Sequence, residues 1–195
     1  MRVLSSGGLS HCGETLSPTL PRKRGREHSA AVADRMTPTY TFRAMIPADM
    51  PLIQRWLDAP HVAEWWHDPE TLEFVGGDLA HPDLAQFIVS LDGRPFAYLQ
   101  CYQLGDWHVS FGPQPDGTRG LDQFIGESEM LGRGHGSAFI RAFIDRLFAR
   151  GVPRIVIDPS PANARAIRAY EKAGFVPQHV IVTPDGPALL MIRDA

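Results

Sequence analysis

Leu131-Gly132-Arg133-Gly134-His135-Gly136 is the stretch on which the reading of this chain turns. It lies between a short strand-like segment, residues 121–126, and a long amphipathic one, residues 134–150. In the latter Phe139, Ile140, Phe143, Ile144, Leu147 and Phe148 form a single apolar face. Glycines at a strand-to-helix junction let the backbone turn its N–H groups inward, and a helix N-terminus adds positive potential. Together they suit a pyrophosphate, and Arg133 can add a charge-assisted contact. The loop is not a Walker sequence, because no Gly-Lys-Ser/Thr follows, and it lacks the order of a dinucleotide fingerprint. A flexible glycine-rich turn has the same composition, so the hexapeptide alone leaves two readings open.

A second signal stands further on, at Asn163-Ala164-Arg165-Ala166-Ile167-Arg168-Ala169-Tyr170-Glu171-Lys172-Ala173-Gly174-Phe175. Asn163 and Tyr170 are seven residues apart, two turns on one helical face. Ser160-Pro161 reads as an N-cap and a first-turn proline, and Gly174 as the glycine that ends the helix.

The loop and helix together resemble the GNAT superfamily of N-acetyltransferases, which bind acetyl-coenzyme A. In that family a Gln/Arg-x-x-Gly-x-Gly/Ala loop grips the coenzyme pyrophosphate. The Asn and Tyr of the following helix approach its pantetheine and thiol. Leu131 stands where the family carries Gln or Arg. Further stretches narrow the likeness: Glu64-Trp65-Trp66, Arg119-Gly120-Leu121-Asp122-Gln123, Asp158-Pro159-Ser160-Pro161-Ala162-Asn163 and Thr183-Pro184-Asp185-Gly186-Pro187-Ala188. In this order and spacing they are similar to the aminoglycoside 6′-N-acetyltransferases, over nearly all of residues 40–192.

The resemblance implies an α/β (α+β) fold, a mixed and mostly antiparallel central sheet flanked by helices. It implies acetyl-coenzyme A as co-substrate, held by Phe124, Ile125, Leu131, Gly132, Arg133, Gly134, His135, Gly136, Ser137, Asn163, Ala166 and Tyr170. The implied acceptor is a primary amine of a cationic small molecule, the 6′-amine of an aminoglycoside, approached by Trp66, Asp106, Trp107, Asp122, Asp158 and Asp185. Asp122 takes up the amine proton and Tyr170 protonates the departing thiolate, since a phenol stays protonated at neutral pH. Residues 107–115 carry no acidic side chain, whereas the resembling enzymes have an acidic cluster there. Other acceptors consistent with the pattern are a siderophore precursor, a polyamine or a protein amine. A coenzyme-binding module without turnover is the alternative from another class.

Each residue also has a plainer role. Tyr170 can be a core tyrosine and the tryptophans simple packing. Asp122 interrupts an apolar strand segment and can pair with Arg119. Asp158 suits a strand end and Asp185 a Pro-Asp-Gly hairpin tip. Cys101 reads as buried packing. The histidines lack metal-ligand spacing, and no metal is expected.

The rest of the chain agrees. Apolar residues at 44% and charged residues at 21% can fill a core and exclude whole-chain disorder. No apolar run reaches the ~18–20 residues of a membrane span. Two cysteines exclude a disulfide scaffold and fit a reducing cytoplasm. Residues 1–35 carry six basic and three acidic side chains, leaving thirteen against nineteen in the remainder. An acidic body disfavours nucleic acid and favours a cationic partner. Residues 1–36, rich in Ser, Pro, Gly and Arg and without periodicity, read as a solvated tail, and residues 37–195 as one catalytic domain, monomeric or homodimeric. The expected order is β-α-α-β-β-loop-β-α-β-α-β-β, with Asp92-Gly93 as a hairpin turn.

Overall fold

A computed structural model describes residues 38–104 and 109–195; the expectations for residues 1–36, Asp106 and Trp107 lie outside these described residues. Strand β1 (Tyr40–Ala44) pairs antiparallel with β2 (Leu84–Leu91), which turns through Asp92-Gly93 into β3 (Arg94–Gln103). Asp92 and Gly93 take φ of 48° and 84°. Two left-handed residues match the twist of a two-residue hairpin, which is why Asp-Gly marks one. Strand β4 (Arg119–Ile125) lies antiparallel to β3, then come β5 (Arg154–Ile157), β6 (Val176–Thr183) and β7 (Gly186–Asp194). The order across the seven-stranded sheet is β1-β2-β3-β4-β5-β7-β6.

One joint in this sheet differs from the rest. β4 and β5 are parallel and pair only at Arg119↔Ile155 and Gly120↔Val156. Beyond that the two strands part, and a cleft opens between them.

Alternation along the strands sends side chains to both faces of the sheet, where three buried clusters form. On one face, Ile53, Trp56 and Leu57 of α1 (Met50–Leu57), Val62 of α2 (Pro60–Ala63) and Val75 of α3 (Thr71–Gly77) pack on Ile88, Tyr98 and Phe124. On the other, Phe139, Ile140, Phe143 and Ile144 of α4 (His135–Phe148) and Tyr170 of α5 (Ala164–Lys172) pack on Val89, Leu99, Leu121, Ile155 and Ile157. The apolar periodicity of residues 134–150 is therefore that of a core helix. Cys101 is buried packing, as expected, and burial pushes its thiol up to about 11. No described helix is long and apolar enough to cross a membrane.

Several boundaries differ from the sequence reading, and a third helix, α3, stands before β2. The cap of α5 is Asn163, whose Oδ1 accepts from the Ala166 N–H at 3.0 Å. Ser160 instead forms the preceding turn, taking the Asn163 N–H on its carbonyl at 2.9 Å. A serine and an asparagine three residues apart compete for one role, and the nearer carboxamide wins. β4 starts at Arg119, because Arg119 and Gly120 serve both β3 and β5. β2 starts at Leu84, where the sequence reading begins that strand at Gln86, because it follows its partner as far as Tyr102.

Candidate active site

The parting of β4 from β5 leaves backbone groups of β4 facing open space. The Gly126 N–H donates to Phe96 O at 2.8 Å, so even-numbered residues of this strand bond toward β3. Gln123 and Ile125 turn the other way, toward the cleft. The Ile125 carbonyl there lies 2.9 Å from Nε2 of His61, a cleft residue to which the sequence reading gave no part in the site. The cleft encloses about 1000 Å³ and is lined along β4 by Asp122, Gln123, Phe124 and Ile125.

At one end Leu131, Gly132, Gly134, Gly136 and Ser137 line it, the loop that opens α4. Gly132 and Gly134 have φ of 72° and 83°, and no atom stands within 4 Å of where a Cβ on either would sit. Such φ values disfavour any other residue, and an added side chain would project into unfilled space. The first N–H bonded inside this stretch is that of Ala138, to Gly134 O at 3.2 Å. The amides of residues 135–137 thus have no partner within the helix, which makes an anion-binding N-terminus. Gly loop and helix fit the pyrophosphate of acetyl-coenzyme A through backbone donors. The His135 ring does not take part: its Nδ1 lies 2.8 Å from Tyr40 Oη and its edge meets Phe96. Neither His135 nor Arg133 lines the cleft, and Arg133 is exposed.

The opposite end is acidic. Asp122, Asp158 at the end of β5 and Asp185 in the β6–β7 turn all line it. Burial pushes the Asp122 carboxyl up to about 6, opposed by a hydrogen bond from Gln100 and assisted by the charge of Asp185. Asp158 rises to about 7, first through burial and then through Asp122 and Asp185. Asp122 makes no ion pair with Arg119; Gln100 Nε2 donates to its Oδ2 at 2.8 Å, and Tyr98 Oη donates to Gln100 Oε1 at 2.8 Å. A carboxylate only accepts, so this order of donors is forced. Trp66 is half-buried, meeting Phe124 and Tyr98 edge-on at 5.1 and 6.1 Å, with the cleft on its other side.

Tyr170 stands between the two ends. Its hydroxyl accepts from Gln123 Nε2 at 3.2 Å, leaving its own proton for another acceptor. Burial, with Asp122 and Asp158 nearby, holds the phenol in its protonated form. Asn163 and Ala166 line the cleft from the same helical face. Gln100 and Gln123, the partners of Asp122 and Tyr170, were not singled out from sequence. Gln100 lies directly across the ladder from Asp122, a relation that only the β3–β4 register reveals. Among the described residues, no three His, Cys, Asp or Glu side chains gather as metal ligands.

Residues 45–183 match the acetyltransferase (GNAT) domain family. An aminoglycoside N(6′)-acetyltransferase type 1 of Klebsiella pneumoniae is 38% identical over 167 residues, 78% of this chain and 82% of that protein. A kanamycin resistance protein of Rhizobium radiobacter is 49% identical over 78 residues, 40% of this chain and 72% of that protein. The crystal structure of the aminoglycoside acetyltransferase AAC(6′)-Ib in complex with coenzyme A and kanamycin superposes with a TM-score of 0.71. It is 38% identical and covers 80% of this chain and 95% of that one.

Proposed function

The chain belongs to the GNAT acetyltransferase family, and from that premise we propose that it transfers an acetyl group from acetyl-coenzyme A to the 6′-amine of an aminoglycoside. One observation carries the reading: an anion-binding helix N-terminus and three carboxylates line opposite ends of one cleft, with Tyr170 between them. The relatives named for aminoglycosides support the acceptor class.

The chemistry follows from the chain's own groups. A neutral amine held at the acidic end attacks the thioester carbonyl carbon, forming C–N as C–S breaks. Asp122, ionised above about pH 6, accepts the proton the amine sheds. The N–H groups of Gln123 and Ile125 are the donors available to the developing oxyanion. Tyr170 gives its proton to the leaving thiolate and regains one from solvent or from Asp122. Asp158 and Asp185 bind the other ammonium groups of the acceptor, and Trp66 walls a sugar face. Holding both substrates in one cleft supplies much of the acceleration.

Thiol release with kanamycin, spermidine and a hydroxylamine as acceptors tests the reading, with the acetylated position assigned by NMR. Turnover with kanamycin at its 6′-amine is expected. Turnover confined to the polyamine or hydroxylamine would overturn the acceptor assignment.

A further inference from the structure

We infer that the outer flank of α5, formed by Arg165, Arg168 and Lys172, is a second phosphate subsite, taking the ribose 3′-phosphate of coenzyme A. This rests on the acetyl-coenzyme A reading and adds to it a site separate from the glycine loop.

All three cations line the cleft, yet all three are exposed, and none forms an ion pair among the described residues. Spaced three and four residues apart, they form one stripe about 10 Å long beside the inward face of Asn163, Ala166 and Tyr170. Glu171, three residues from Arg168, neither pairs with it nor lines the cleft. The other cations nearby are engaged or turned away. The Arg141 guanidinium, from the second turn of α4, donates to the Lys172 carbonyl and so caps the C-terminus of α5. Arg133 lies outside the cleft.

The same Arg141 contact brings the last turn of α5 within one side chain of α4, whose first turn carries the anion-binding amides. Coenzyme A has two phosphates in its pyrophosphate and a third, a monoester, on the ribose. Backbone amides suit the pyrophosphate, where the chain must approach closely. A monoester at the solvent edge suits guanidinium forks and an ammonium, which reach further and pair with it directly.

Calorimetry with coenzyme A and 3′-dephospho-coenzyme A, on the full-length chain and its R165A/R168A/K172A variant, tests this. The unaltered protein is expected to prefer coenzyme A by roughly 10–100-fold, the worth of one or two charge-assisted contacts. The variant should bind both alike, at about the affinity the unaltered protein has for the dephospho form. The preference should also shrink as salt is raised. The three side chains are exposed and become alanine, a good helix former, so an unchanged melting temperature is expected and serves as the control. A variant that keeps the preference, or a native protein that has none while binding both, overturns the subsite. A native protein that binds neither overturns the acetyl-coenzyme A reading itself.

Discussion

Tyr170 keeps its proton because it is buried, and offers it outward because Gln123 donates to its oxygen. Tyr170→Phe removes that proton and little else. kcat should fall roughly 10²–10⁴-fold with coenzyme affinity unchanged, measured by steady-state kinetics beside calorimetry. Near-native kcat with chemistry rate-limiting would exclude the role. Asp122 is a base only when ionised, so kcat/KM should rise with pH through about 6, and Asp122→Asn should lower activity and flatten that limb. A pH–rate profile of both proteins checks it. At this scale the sequence was half legible. A carboxylate inside Leu121–Ile125 stands out against apolar neighbours, and a family pattern marks Tyr170. Their partners do not stand out, since glutamines are common and Gln100 meets Asp122 only across a ladder whose register no local pattern records.

The elements were more legible, because each is announced by its own periodicity or punctuation. Asp92-Gly93 gave the hairpin and the stripe from Phe139 to Phe148 gave α4, while the boundaries of β2, β4 and α5 depended on partners distant in sequence. Two glycines bear on how elements hold the site. A Cβ on Gly126, just past β4, would stand 2.1 Å from the ring of Trp56, which is fully buried and held by its Nε1–H on Glu127 Oε1 at 2.9 Å. The ring cannot yield cheaply, so Gly126→Ala should cost about 1–3 kcal/mol or more, read by denaturant unfolding. Gly134 is the opposite case, with open space around it and a left-handed backbone. Gly134→Val should chiefly weaken coenzyme binding by calorimetry, with a smaller loss of stability from the strained φ.

Among the described residues, those lining the cleft lie between His61 and Ala188, and residues 1–36 carry neither apolar periodicity nor any of the family's motifs. Removing residues 1–36 should leave kcat/KM within a factor of about two, the expected result for a terminal segment without motif or core pattern. The acidic end has a cost of its own. Asp122 and Asp158 titrate higher in the fold than the ordinary 3.8, so the folded state holds protons that the unfolded state releases. Their contribution favours folding at low pH and is lost as pH rises from about 4 to about 7. Asp158→Asn should accordingly gain melting temperature relative to the unaltered protein at pH 7.5 compared with pH 5, and an equal difference at both would contradict it. The order of elements along the chain was legible apart from α3, since motifs and periodicities are spread along it. What no motif announced is how little joins β4 to β5. With two residue pairs bridging the middle of the sheet, the ligand-free protein is an unfinished ladder whose inner amides, at Gln123 and Ile125, behave like those of an exterior edge. Deuterium should enter there quickly, in the middle of the sheet, and slow sharply once an extended co-substrate lies along the strand.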